Sequence, residues 1–165
     1  MPTVTHSAQL ARTETALATL DPKAAAIFRE FIGDAVALAD KSGCQYIAIS
    51  GNRTYAEQDA LYAKGRTAPG AKVTNAKGGQ SNHNFGIALD FGVFQGGKYL
   101  DDGTPEQQLK AARIHRAIGT ALAERHKLEW GGTWKGITDE PHFEIKTGLT
   151  LAEKRARYAS NGSVL

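Results

Sequence analysis

Cysteine is almost missing from this 165-residue chain: Cys44 stands alone. A single thiol excludes an intramolecular disulfide and leaves the redox compartment undecided, and its setting between Gly43 and Gln45-Tyr46-Ile47 reads as a half-buried structural residue. Long apolar runs are missing too. No segment approaches the roughly 18 apolar residues that a membrane span requires, so no membrane partner is expected. Neither sign of charge prevails: 20 Lys and Arg stand against 17 Asp and Glu, for a net charge of +3. The cations are scattered, with Lys154-Arg155-Ala156-Arg157 the one tight group, whereas a nucleic-acid-binding face would cluster them on one element. The start, Met1-Pro2-Thr3-Val4-Thr5-His6-Ser7, has neither the charged opening nor the apolar run of a secretory signal, so synthesis in the cytoplasm without signal-directed export is expected.

What is present is an ordinary globular composition, 41% hydrophobic and 22% charged, in a length that suits one domain with its own core. Residues 1–165 therefore read as one domain, with 1–20 as an N-terminal extension or helix and 159–165 as a frayed tail. Asp21 before Pro22 is an N-cap with proline at the first helical position, and Phe28, Phe31, Ile32, Ala35, Val36 and Ala39 repeat behind it at helical spacing, so a helix is expected over 22–40. An Ala-rich run over 7–20 reads as a helix packed on it. Tyr46-Ile47-Ala48-Ile49 reads as a strand, and Thr54 with Glu57 three residues later opens a short helix to about Ala63. A long Gly- and Lys-containing loop follows over 66–80. A strand over 87–94, a turn at 95–98, a helix from Thr104 to near His126, short strands at 128–130 and 142–145, and a last helix from Thr150 to about Tyr158 complete the order. Such an order describes an α+β fold with a small, mainly antiparallel sheet flanked by helices.

Two stretches carry the chemistry. Ser81-Asn82-His83-Asn84-Phe85-Gly86-Ile87-Ala88-Leu89-Asp90 offers an imidazole and a carboxylate, and Asp139-Glu140-Pro141-His142-Phe143 offers a second imidazole. Two His and one carboxylate form a standard ligand set for a zinc ion that keeps one position open. Gly86 supplies a flexible corner between His83 and Asp90. Alternation along the strand turns Leu89 and Phe91 into the core while Asp90 faces the other way, so the metal site is expected on the sheet surface. Asp139, Glu140 and Glu144 all lie near His142, and spacing alone leaves all three open as a general base. Trp134 is a candidate cleft wall, while His115 and His126 read as structural or solvated. Asp101-Asp102-Gly103 reads as a solvated turn in preference to a calcium loop.

Ser-x-His-x-x-Gly-x-Ala-x-Asp at 81–90, followed by Asp-x-Pro-His-Phe at 139–143, resembles the zinc D-alanyl-D-alanine carboxypeptidase and L-alanyl-D-glutamate endopeptidase family. Ser50-Gly51-Asn52-Arg53-Thr54 with Gln58, the block 61–67 and Trp130-Gly131-Gly132-Thr133-Trp134-Lys135 are similar to further blocks of its endopeptidase branch. The resemblance spans about 47–145 and implies one bound Zn2+, held by His83, Asp90 and His142. It implies Asp139 as the general base, where dipeptidase relatives carry Glu, and Arg53 as the group that stabilises the oxyanion or holds a substrate carboxylate. Ser81, Gln58 and Trp134 are then expected to contact substrate. The implied activity is hydrolysis of peptidoglycan stem peptides at the L-Ala–D-Glu bond, by a monomer of the phage endolysin type, without a separate wall-binding domain and released to the wall by lysis or another non-Sec route. A D-alanyl-D-alanine carboxypeptidase is the nearest alternative. A non-catalytic zinc-containing binding module and a basic nucleic-acid-binding domain are rivals of other classes.

Overall fold

The computed structural model describes residues 4–165; residues 1–3, on which part of the reading of the chain's start rests, lie outside them. The first helix, α1 (Val4–Ala18), leads directly into α2 (Pro22–Asp40). Asp21 caps α2 by accepting from the Lys23 backbone N–H, and the helix buries Ala24, Phe28, Phe31, Ala35 and Ala39 along one stripe, the 3.6-residue pattern that its sequence carries. Strand β1 (Gln45–Ser50) follows, then α3 (Tyr55–Ala63), whose Thr54–Glu57 capping box closes as expected. After the long loop, a 3-10 turn (Asn82–Phe85) delivers the chain to β2 (Ala88–Gln95). A short return strand β3 (Lys98–Tyr99), α4 (Pro105–Leu122), β4 (Leu128–Trp130), β5 (His142–Ile145) and α5 (Leu151–Asn161) complete the order.

The strands form one antiparallel sheet in the order β1-β2-β5-β4, with β3 on β2, so the α+β class read from the sequence holds. The core lies between one face of this sheet and the helices. Phe31 of α2 meets Phe91 and Phe143 of adjacent strands, and Tyr46 stacks on Phe91 with ring centroids 4.8 Å apart. The outer edge of β1 is covered by α1: Thr13 Oγ1 accepts from the Ala48 backbone N–H at 3.2 Å, satisfying a donor that an edge strand would otherwise leave open.

Three local expectations need correcting. The tail over 159–165 is packed, not frayed. Helix α5 runs to Asn161, Gly162 closes it in the left-handed region, and Val164 is 1% exposed, because burying this valine and bonding Ser163 to Asp21 offsets the ordering entropy. Cys44 is fully buried rather than half-buried. Helix α4 stops at Leu122 and not near His126, since the Leu128 N–H turns back to the Ala123 carbonyl and Lys127 takes a positive φ of 56°.

Candidate metal centre

His83 is aimed by the turn that holds it. Ser81 caps this turn, its Oγ accepting from the His83 backbone N–H at 3.3 Å, and Gly86 ends it with φ 66°, a conformation that costs glycine little. The chain reverses there and enters β2, which carries Asp90 to a position directly across the ladder from His142 of β5. Leu89, Phe91 and Phe143 are fully buried on the opposite face, so core packing fixes which way Asp90 and His142 point.

One ligand atom from each of His83, Asp90 and His142 lies within 4.8 Å of the others. His83 Nε2 is 3.1 Å and His142 Nδ1 2.9 Å from the same oxygen, Asp90 Oδ1. Donors bonded tetrahedrally to zinc at about 2.0–2.1 Å stand about 3.3 Å apart, so these separations suit such an ion with small adjustments. The nitrogens facing away are also engaged. His83 Nδ1 lies 2.7 Å from the Gly51 carbonyl, and His142 Nε2 lies 2.8 Å from Glu144 Oε2. Each ring can donate its outer N–H and keep its inner lone pair for a metal, the pattern that fixes tautomer and orientation in histidine-ligated sites. The donor set and its surroundings fit a metal ion of this kind.

Protein groups alone set an uneven electrostatic landscape here. Burial opposes ionisation of Asp90, but the charge on His83 and hydrogen bonds from His142 and His83 outweigh it and hold the carboxyl well below the usual range. Burial likewise disfavours a charged His142, yet its bonds to Asp90 and Glu144 bring it up to about 9. Asp139 moves upward instead, through burial and then the Asp90 charge, against the pull of His142, His83 and Arg53.

The cluster opens on a cleft of about 450 Å3, lined also by Arg53, Ser81, Trp134, Asp139 and Lys154. Trp134 tilts over His142 with centroids 4.9 Å apart, and its Nε1 donates to Glu129 at 2.9 Å. Arg53 stands at the corner between β1 and α3. Its Nη2 donates to Asp90 Oδ2 at 3.3 Å and its Nη1 to Gln58 Oε1 at 2.9 Å. Seven of the eight residues singled out from the sequence thus share one cleft. Gln58 is the exception and a correction: it is 0% exposed, and its amide donates to the Ala76 carbonyl at 2.9 Å, so it braces Arg53 and the long loop rather than meeting a ligand.

Of the carboxylates left open beside His142, Glu140 points away and accepts from Arg116 Nε at 2.5 Å. Glu144 backs His142, which leaves Asp139 as the one on the cleft side without a ring nitrogen bound to it. His115 is buried between the Tyr46 hydroxyl and Asp101, and His126 pairs with Asp34. Asp101 also accepts from the Val93 N–H, which ties up both its oxygens. Reading the sequence missed Asn84, 2% exposed, whose Nδ2 donates to the Arg53 carbonyl at 2.9 Å and whose Oδ1 accepts from the Gly79 N–H at 3.0 Å. It missed Lys154 and Asn82 as well. Glu144 carried a usable signal, since strand alternation places it on the face of His142.

Fold and donor set together define a candidate His–Asp–His metal centre on the cleft-side face of an antiparallel sheet. The family model described as D-alanyl-D-alanine carboxypeptidase matches residues 74–145, the segment that bears all three clustered ligands and Asp139. The peptidoglycan L-alanyl-D-glutamate endopeptidase CwlK of Bacillus subtilis (strain 168) is 37% identical over 117 residues, covering 66% of this chain and 65% of that protein. The chain thus matches just under two thirds of that relative's length. Among solved structures, the L-Ala D-Glu endopeptidase ChiX of Serratia marcescens shares the fold with a TM-score of 0.54 at 22% identity, over 84% of this chain and 89% of that one. The LD-carboxypeptidase LdcB does so with a TM-score of 0.50 at 23% identity, over 88% and 74%.

Proposed function

We propose that the chain is a zinc-dependent peptidase that hydrolyses peptidoglycan stem peptides between L-alanine and D-glutamate, working as a monomer with one ion. The observation that carries this reading is the convergence of His83, Asp90 and His142 on one point of a cleft that Asp139 also lines. The 37% identity to CwlK supports the choice of bond. When bound, zinc supplies the Lewis acidity that activates water near neutral pH and polarises a scissile carbonyl. His83, Asp90 and His142 hold it. Asp139, with its carboxyl pushed upward by burial, takes the proton from the attacking water and passes it to the leaving amine. Arg53 holds the charge that develops on the carbonyl oxygen. Ser81 and Trp134 form the walls that orient the peptide. The endolysin-type setting, with release to the wall by lysis or another non-Sec route, belongs to the same proposal.

The test is digestion of purified peptidoglycan with mass spectrometry of the products. New D-glutamate N-termini are expected. Free D-alanine as the sole product would establish the carboxypeptidase reading, which the description of the matched family favours. Failure to cleave any wall preparation, with zinc bound, would leave a binding module.

A further inference from the structure

His142 is held from behind as firmly as it is aimed forward. Its Nε2 lies 2.8 Å from Glu144 Oε2, in a pair whose side chains are 6% and 12% exposed. Glu144 is held in turn. Asn82 and Lys154 line the same cleft as Glu144 and favour its ionised form against burial, and Lys154 of α5, 7% exposed, donates from Nζ to Asn82 Oδ1 at 2.8 Å. Two bonded pairs, His142–Glu144 and Lys154–Asn82, therefore stand together in the cleft, the second joining α5 to the turn that carries His83. A buried carboxylate is stable only with partners, and the Lys154 ammonium nearby offsets the charge of Glu144. Lys154 lies outside the segment that matches the family model, 74–145, so that segment alone does not account for this support.

We infer that Glu144 is a positioning residue for the metal ligand His142, with Asn82 and Lys154 holding it in place. The inference rests on the zinc reading above. By accepting the Nε2 proton, Glu144 selects the tautomer whose Nδ1 lone pair faces Asp90 and His83, and it stops the ring from turning. Glu144 is not one of the three clustered ligands, so its effect is on how tightly and in what orientation the metal is held. Outer partners of this kind typically change metal affinity by about 10–100-fold.

The experiment is a zinc titration against a competing chromophoric chelator for the wild type, Glu144→Ala, Glu144→Gln and Lys154→Met, with 15N spectra of the His142 ring in the zinc-loaded wild type. Glu144→Ala is expected to weaken zinc binding about 10–100-fold. Glu144→Gln, which keeps an acceptor oxygen of the same shape, is expected to lose less, and Lys154→Met to lose severalfold. Zinc affinity in Glu144→Ala equal to that of the wild type overturns the inference. The ring spectrum needs no variant, so it stands even if Glu144→Ala does not fold: a protonated Nε2 is expected, and an unprotonated one overturns the inference. A wild type that binds no zinc overturns the functional reading instead.

Discussion

Arg53 and Asp90 form an ion pair across the floor of the cleft, Nη2 to Oδ2 at 3.3 Å, with each side chain about one fifth exposed (20% and 22%). The guanidinium therefore braces the carboxylate whose other oxygen faces both imidazoles, while presenting its edge to the cleft. Arg53→Ala is expected to lower kcat on the order of a hundredfold, the usual cost of removing a group that stabilises developing charge. Arg53→Lys should recover only part, because a lysine cannot span Asp90 and Gln58 at once. Steady-state kinetics of zinc-loaded variants would check both; a fully active Arg53→Ala would remove Arg53 from the chemistry.

Asp139→Asn keeps the shape of the side chain and removes its basicity. Turnover is expected to fall about 10²–10⁴-fold while zinc content stays at the wild-type level. Metal analysis alongside the peptidoglycan digest distinguishes the two effects. Loss of metal in this variant would place Asp139 among the ligands.

Zinc that binds only the folded chain stabilises it by mass action, about 2.7 kcal/mol at a free concentration a hundred times Kd. For a chain of 165 residues that corresponds to about 5–10 °C in Tm. Thermal melts before and after chelation should show this drop, with recovery when zinc is returned. An unchanged Tm would mean that the His–Asp–His cluster holds no ion under those conditions.

Gln58→Ala leaves the Ala76 carbonyl and an Arg53 N–H without their buried partner. The expected cost is about 1–3 kcal/mol of stability, measured by urea unfolding. The long loop should also become more susceptible to proteolysis.

Gly119 lies inside α4, where alanine would ordinarily gain about 1 kcal/mol. Here the ring of Trp130 packs onto the glycine, and a Cβ at position 119 would fall inside contact distance of that ring. Gly119→Ala is therefore expected to destabilise by about 1–3 kcal/mol, since overpacking outweighs propensity. A gain in unfolding free energy would contradict this packing.

The grouping of His83, Asp90 and His142 was readable from residue types and spacing because a strand and a tight turn place side chains by short-range rules, whereas Asp139 was singled out from Glu140 and Glu144 only by the family resemblance. Helix α2 was readable for the same reason: its cap, its proline and its apolar stripe agree. Gln58 was misread because its surroundings come from residues 74–76, which fold back over α3 in a way no local pattern encodes. Lys154 sits on a short helix whose remaining residues are mostly exposed, so nothing in the periodicity marks it as buried. The packed tail was missed for a related reason: Ser163 finds its partner Asp21 across almost the whole length of the chain, and composition near a terminus says nothing of such contacts.

Asp21 divides its carboxylate between two distant parts of the molecule. Oδ1 accepts from the Lys23 N–H at the start of α2, and Oδ2 accepts from the Ser163 hydroxyl just beyond α5. Freeing the tail therefore also loosens the cap of a helix about 140 residues earlier in sequence. The two ends should open as one cooperative unit in hydrogen exchange, and because α5 carries Lys154, local opening at the chain's end reaches the side chains that back His142.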